Sequence, residues 1–261
     1  MILDDIAQET RKRTAKLKEE GYYHEIHRKI KDFIPKKDHL FYKKLSAPGL
    51  SFICELKKAS PSKGIISEDF PFEQIAGEYE RAGASAISCL TEPKWFKGDI
   101  SYLRRVAGEV KIPVLRKDFI IDECQIEEAA LAGASAILLI AAILKDKEIR
   151  QFMKRAEELG LDVLSEAHDE KEMERILAAG ARIAGVNNRD LRDFSIKMEN
   201  TEKLAGMIPE GVLLVSESGM TDSEAVMQMH EAGADGVLIG EMLMKAENRT
   251  ELLKEMIREN S

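Results

Sequence analysis

The stretch Ala129-Ala130-Leu131-Ala132-Gly133-Ala134-Ser135-Ala136-Ile137-Leu138-Leu139-Ile140 decides the fold. A helical pattern stops at a glycine and passes at once into a short apolar run. Glycine after a helix accepts the left-handed conformation without a Cβ penalty, so it ends the helix cleanly. A run apolar at every position, rather than at alternate ones, suits a parallel strand covered on both faces. The same step recurs at Ala82-Gly83-Ala84, Ala179-Gly180-Ala181 and Ala232-Gly233-Ala234, and strand-like runs follow at 85–90, 182–186 and 235–239. The four glycines are 50, 47 and 53 residues apart. That even spacing is a repeat of two βα units.

Four further strand runs, 51–56, 112–115, 161–165 and 212–216, fall between these. Helical patterns alternate with them near 72–82, 99–108, 122–132, 145–159, 169–179, 200–206, 221–232 and 241–258. Eight βα units predict an α/β chain folded as a (β/α)8 TIM barrel over 49–261. The alternative, an open doubly wound sheet, lacks a GxGxxG turn after its first strand. Residues 1–48 are highly charged and carry Ile2, Ile6, Leu17, Ile26 and Ile30 at helical spacing. They predict an N-terminal extension of one or two helices packed over a barrel end, within a single domain overall. A solvated extension and a substrate-covering one both fit. If it covers substrate, deleting it raises KM more than it lowers stability.

The 261 residues carry a net charge of −8, which argues against general nucleic-acid binding, where a broad basic face is needed. Positive charge focused in one cleft still suits an anionic small molecule. The longest apolar run, 136–144, is far short of the roughly 20 residues of a membrane span. Met1-Ile2-Leu3-Asp4-Asp5 puts acids where a signal peptide has basic residues, so a cytoplasmic location is expected. Cys54, Cys89 and Cys124 are odd in number and show no CxxC spacing, which reads as inert buried thiols. His24 and His27 have no cysteines near them, and no metal site is expected.

In barrels of this kind the chemistry sits at the C-terminal ends of the strands. Those ends read Glu55-Leu56-Lys57, Arg116-Lys117-Asp118, Glu166, Asn187-Asn188-Arg189, Glu217-Ser218-Gly219 and Gly240-Glu241. One such charge is as readily a structural ion pair. Six such ends meeting at one mouth are hard to explain as packing, because buried charge is costly unless paired or used. Ser218-Gly219 leads into Thr221-Asp222-Ser223-Glu224, a helix start of capping-box type, and Gly240 opens a helix at Glu241. Backbone N–H groups at such loops bind phosphate, and Lys57 and Ser60 complete the cradle. Lys117 serves as proton donor if Lys57 and Arg116 lower its pKa, and Glu166 serves as base. Glu55 and Glu217 can hold the lysines. Asn187 and Arg189 suit a hydroxyl and a carboxylate, the alternative for Arg189 being an ion pair with Asp190 or Asp193.

At these residues the sequence resembles indole-3-glycerol phosphate synthase. The resemblance rests on 55–64 (Glu-Leu-Lys-Lys-Ala-Ser-Pro-Ser-Lys-Gly), Leu90-Thr91-Glu92 with Phe96-Lys97-Gly98, Val114-Leu115-Arg116-Lys117-Asp118-Phe119, Gly185-Val186-Asn187-Asn188-Arg189-Asp190-Leu191 and Ser216-Glu217-Ser218-Gly219. It implies a cofactor-free conversion of 1-(2-carboxyphenylamino)-1-deoxyribulose 5-phosphate to indole-3-glycerol phosphate, carbon dioxide and water, in tryptophan biosynthesis. It implies Lys117 as general acid at the ketone and Glu166 as base in the later dehydration. Glu55, Lys57, Asn187, Glu217 and Ser218 become the polar lining and Phe119 an apolar wall. Lys57, Ser60 and the backbone at Gly219, Gly240 and Glu241 become the phosphate site. The division of proton transfers between Lys57 and Lys117 stays open. The chain would act as a monomer or weak homodimer, in at most loose contact with other tryptophan-pathway enzymes. Two departures, Ser165 before Glu166 and Trp95 before Phe96, imply packing changes, with the Ser165 hydroxyl turned away from the mouth. A phosphoribosylanthranilate isomerase would want a cysteine at the mouth, whereas Cys54 lies mid-strand. A non-catalytic phosphate-binding barrel would lack the Lys117–Glu166 pair.

Overall fold

The computed structural model describes residues 2–190 and 194–260. The apolar runs form eight strands: β1 (Ser51–Leu56), β2 (Ala86–Leu90), β3 (Val114–Lys117), β4 (Ala136–Ile140), β5 (Asp162–Ala167), β6 (Ile183–Asn187), β7 (Leu213–Glu217) and β8 (Gly236–Ile239). All pair in parallel with their sequence neighbours. β8 pairs with β1 from Ser51↔Gly236 to Cys54↔Ile239, which closes the (β/α)8 barrel.

Three helices, α1 (Ile2–Glu19), α2 (Tyr22–Ile30) and α3 (Leu40–Leu45), precede the barrel. The outer ring is α4 (Phe72–Ala82), α5 (Ile100–Glu109), α6 (Glu123–Leu131), α7 (Asp146–Glu158), α8 (Glu170–Ala178), α9 (Glu199–Ala205), α10 (Ser223–Glu231), α11 (Glu241–Lys245) and α12 (Arg249–Glu259). The repeat glycines Gly83, Gly133, Gly180 and Gly233 all have φ between 88° and 104°, the left-handed helix ends that their sequence context predicts.

Strand alternation divides the core in two. Ile53, Leu115, Leu138, Leu164, Ile183, Val215 and Leu238 belong to the cluster that fills the barrel. Cys54, Ile87, Cys89, Ile137, Ala184 and Val237 belong to the larger cluster beneath the helices. Burial raises the thiol pKa of Cys54 and Cys89, to about 12 for Cys89, as inert cysteines require. Cys124 departs from the expectation, being only partly buried.

Several boundaries differ from the sequence reading. β3 begins at Val114, because Pro113 has no N–H to give and the Ile112 N–H bonds the Glu80 carboxylate at 3.1 Å. Its charged end therefore lies inside the ladder. The expected helix over 241–258 is two helices: Ala246 is extended, and the Asn248 side chain caps α12 by accepting from the Glu251 N–H at 3.2 Å. Asp222, not Thr221, caps α10, accepting from the Ala225 N–H at 2.8 Å.

The N-terminal extension departs most. Its three helices take three positions rather than one barrel end. Ile2 and Ile6 of α1 line the cavity at the C-terminal ends of the strands. α2 packs on α6 at the side, with the Tyr22 hydroxyl donating to Glu128 at 2.6 Å. α3 closes the opposite end, where its buried Phe41 and Leu45 join the barrel-filling cluster. Deleting 1–48 would therefore uncover the floor core as well as the cavity rim, so a loss of stability is expected beside the rise in KM.

Candidate active site

The C-terminal ends of the strands enclose a cavity of about 710 Å³. Glu55, Lys57, Ser60, Lys117, Phe119, Glu166, Asn187, Arg189, Glu217, Ser218, Gly219, Gly240 and Glu241 all line it. Alternation explains the convergence. Glu55, Lys117, Glu166 and Glu217 each stand two residues beyond an inward apolar residue: Ile53, Leu115, Leu164 and Val215. The residues between them face outward. Arg116 is turned away from the mouth, paired with Asp118 at 3.2 Å and Glu128 at 2.8 Å, and donating to the Gln125 carbonyl at 2.6 Å. It cannot depress the Lys117 pKa in the way the sequence suggested.

Lys117 is the hub. Its Nζ lies 2.5 Å from Glu217 Oε2 and 3.4 Å from Glu166 Oε2. Burial opposes its charge, but Glu217, Glu166 and Glu55 outweigh burial and raise its pKa, the reverse of the expected depression. Glu166 is buried, yet Lys117, His168 and an Asn187 hydrogen bond (Nδ2 to Oε1, 3.2 Å) hold its pKa below the usual carboxylate range. Glu217 goes the other way. Burial, with the Glu166 charge adding, pushes it up to about 7 against the pull of Lys117. Two carboxylates around one ammonium thus separate into a firm anion and a group that titrates near neutrality. Glu55 is ion-paired with Lys57 beside it.

Small residues make room for this charge. A Cβ on Gly185 would run into Glu217 Oε1. A Cβ on Gly240 would stand 2.5 Å from Glu55 Oε1 and 3.2 Å from Lys57 Nζ. After β7 the backbone turns through two left-handed residues, Ser218 (φ 65°) and Gly219 (φ 91°). Such a conformation at a non-glycine residue costs on the order of 1–3 kcal/mol and needs outside support. Asn188 supplies it: its Nδ2 donates to the Ser218 carbonyl at 3.2 Å and to Ser216 Oγ at 2.9 Å, while Thr201 Oγ1 donates to its Oδ1 at 2.9 Å. The Asn187-Asn188 pair therefore splits, one into the cavity and the other beneath its rim.

Asn187 Oδ1 accepts the Arg189 N–H at 3.0 Å, and Arg189 Nη1 donates to the Phe194 carbonyl at 3.3 Å. Asp193, one alternative partner for Arg189, and Leu191 of the motif lie outside the described residues. Opposite the charged side is an apolar wall. Phe96 and Phe119 rings stand 6.1 Å apart, with Ile2, Ile6, Leu138 and Ile140 alongside. Phe96 was legible as a motif residue but not as a wall residue. Ile2 and Ile6 showed only helical spacing, which does not tell which end of the barrel they cover. Glu92, also in a motif, holds the Phe96 loop by accepting the N–H groups of Lys94, Trp95 and Phe96 at 2.9, 2.7 and 3.0 Å. Ser165 is buried outside the cavity lining, and its Oγ finds no partner among the described residues.

A family model described as indole-3-glycerol phosphate synthase matches residues 3–256. The indole-3-glycerol phosphate synthase of Ruminiclostridium cellulolyticum is 47% identical over 246 residues, covering 94% of this chain and 95% of that one. That of Desulfotalea psychrophila is 52% identical over 214 residues, 82% of each chain. A solved thiamine phosphate pyrophosphorylase from Pyrococcus furiosus has a TM-score of 0.60 at 16% identity, covering 84% of this chain and 98% of that one, a likeness of fold alone.

Proposed function

The chain belongs to the indole-3-glycerol phosphate synthase family, and from that premise we propose how its cavity closes the indole ring. The family's activity makes it a decarboxylating, ring-closing lyase of tryptophan biosynthesis acting on a small phosphorylated substrate. The observation that carries the residue assignment is Lys117 suspended between Glu217 and Glu166 in a cavity with an aromatic wall on one side and glycine turns on the other.

The substrate phosphate lies against Lys57, Ser60 and the backbone N–H groups of Gly219, Gly240 and Glu241. Arg189 takes the carboxylate on the aromatic ring, and Phe119 and Phe96 take the ring face. This holds the ring carbon over the ketone carbon, and such positioning removes much of the entropic barrier. Lys117 donates to the ketone oxygen as the new carbon–carbon bond forms. Its raised pKa keeps it charged at neutral pH, and an alkoxide is basic enough to take even a firmly held proton. Loss of carbon dioxide restores the aromatic ring. Glu166, held as a carboxylate, then takes a proton from the five-membered ring while the hydroxyl, protonated from the Lys57 and Lys117 pair, leaves as water. Asn187 orients Glu166, Glu217 orients Lys117, and Ser218 donates to the substrate's glycerol hydroxyls. The chemistry needs no cofactor, since a protonated ketone is already an electrophile. The protein acts in the cytoplasm as a monomer or weak homodimer, at most loosely in contact with other enzymes of the pathway. Among the described residues no helix is long and apolar enough to cross a membrane, in keeping with that placing.

The test is indole fluorescence from purified protein and the carboxyphenylamino-deoxyribulose phosphate, with chelator present. Wild type should generate it. Lys117→Met should lose about 10²–10⁴-fold in kcat, the range for a missing acid–base group, while calorimetry still registers the phosphorylated ligand. Near-normal turnover in Lys117→Met removes Lys117 from the mechanism. A folded wild type with no signal favours a phosphate-binding barrel without catalysis.

A further inference from the structure

Glu166 is 2% exposed, and a base in that position must discharge the proton it collects before the next turnover. Lys117, left neutral by its gift to the ketone and 3.4 Å away, takes that proton back, so Glu166 must return to an aimed carboxylate in every cycle. Behind Glu166, at the end of β5, stands His168. Its Nε2 is 3.4 Å from Glu166 Oε1 and its Nδ1 is 3.1 Å from Glu172 Oε2. The His168 backbone N–H also donates to Glu172 Oε2, at 2.9 Å, which fixes the ring's edge against that carboxylate. Glu172 lies in the first turn of α8, where negative charge is favoured, and its side chain is 17% exposed. Glu166, His168 and Glu172 thus form a line from the cavity to the surface.

The line is built for a proton. An ionised Glu172 only accepts, so Nδ1 carries hydrogen. Nε2 is sealed from solvent and has no well-formed hydrogen bond among the described residues. A neutral ring would point a lone pair at the Glu166 carboxylate, whereas a charged ring donates to both acids. Burial works against that charge, but the Glu172 hydrogen bond and the charges of Glu166, Glu172 and Glu217 outweigh it and raise the ring's pKa. Lys117, beyond Glu166, is the cation on the far side of the same carboxylate.

We propose that His168 is a positioning residue for ring closure: with hydrogen on both ring nitrogens it holds the Glu166 carboxylate in aim, while Glu172 holds the ring. Once Glu166 has become a carboxylic acid, its proton goes to the neutral Lys117 amine, and His168, its own protons in place, draws the carboxylate back into position. This rests on Glu166 being the base.

The experiment compares Glu166→Gln, His168→Gln and Glu172→Gln for kcat, KM, the pH profile of kcat and the solvent deuterium isotope effect. Glu166→Gln should lose turnover at every pH. His168→Gln should lower kcat by about 10–100-fold with KM within about twofold, since the base loses its aim while the groups that bind substrate stay in place. Its acidic limb should move to higher pH, because Glu166 loses a cation that holds its pKa down. Glu172→Gln should keep KM, lower kcat several-fold and move the acidic limb the same way by less, with the solvent isotope effect unchanged, because the ring loses its anchor and no proton path is cut. Unchanged kcat and acidic limb in both His168→Gln and Glu172→Gln, with Glu166→Gln inactive, overturn the positioning role and leave His168 a packing residue. An active Glu166→Gln overturns the base assignment itself. If His168→Gln fails to fold, the partly exposed Glu172→Gln decides.

Discussion

The two ends of this barrel are made from the same eight strands and differ in how their polar groups are satisfied. At the floor, Asp162 accepts from the Tyr42 N–H at 2.9 Å and faces His39 Nδ1 at 2.9 Å. Asp235 accepts the Leu214 N–H at 2.7 Å, Ser51 Oγ donates to the Lys44 carbonyl at 3.3 Å, and Phe41 and Leu45 plug the centre. At the mouth, Glu55, Glu166 and Glu217 share Lys57 and Lys117, and Glu217 Oε1 is buried with no hydrogen-bond partner among the described residues. The floor is organised for stability. The mouth keeps unmet hydrogen-bonding capacity and a left-handed serine, the usual stability cost of a site.

The sharpest way to break this contrast is at the floor. Phe41→Ala should cost about 3–5 kcal/mol, the range for emptying a buried aromatic site, while kcat measured on the remaining folded protein stays near wild type. Denaturant melts and active-site titration measure the two quantities, and a parallel fall in kcat would mean the ends are coupled. The next test is at the mouth. Glu217 has its pKa raised to about 7, so its contribution to stability is full below the unfolded carboxylate value, about 4.3, and is lost as pH rises toward 7. Glu217→Gln should flatten that slope between pH 5 and 8 in urea melts; an unchanged slope would show that Glu217 is ionised throughout. Glu166 has the opposite sign, and its contribution is lost only as pH falls through its depressed pKa.

Two smaller effects sharpen the division. Ile6 of α1 faces the cavity, so Ile6→Ala should raise KM several-fold with kcat nearly unchanged, consistent with about 1–2 kcal/mol of lost apolar contact. An unaltered KM would make α1 a cover that substrate does not touch. Ser165 buries a hydroxyl without a partner, and Ser165→Ala should stabilise by about 1 kcal/mol by removing that desolvated group. A loss of stability there would point to a water bonded to the hydroxyl.

The barrel was legible because its signal is periodic: four Ala-Gly-Ala steps, each a helix end followed by an apolar strand. The mouth was legible because charge after a buried run has few structural uses. The sequence did not show which of two adjacent charged residues faces inward. Arg116 and Lys117 differ by one position, and alternation alone sends them to opposite sides of the strand. The sign of the Lys117 shift followed from that error, since Arg116 was placed as its neighbour and Glu55 and Glu217 were given only a holding role. Placement of the N-terminal helices was illegible for a different reason. Amphipathic spacing reports a face to bury, but the partners Asp162 and Glu128 lie more than a hundred residues away along the chain, and the cavity rim is gathered from strand ends spread from Glu55 to Glu241.

Ring closure through Ser51↔Gly236 has a further consequence, for synthesis on the ribosome. The first strand waits for the last before its edge is covered, and at about 5–20 residues per second that interval is roughly ten to forty seconds. During it, β1 presents an unpaired, largely apolar edge of the kind that recruits other chains. The N-terminal helices emerge earlier still and have no docked position until the middle strands exist. A nascent chain of this protein is therefore most exposed to aggregation just before its final βα unit, and shortening the C-terminus should harm yield in cells well before it removes any residue that touches substrate.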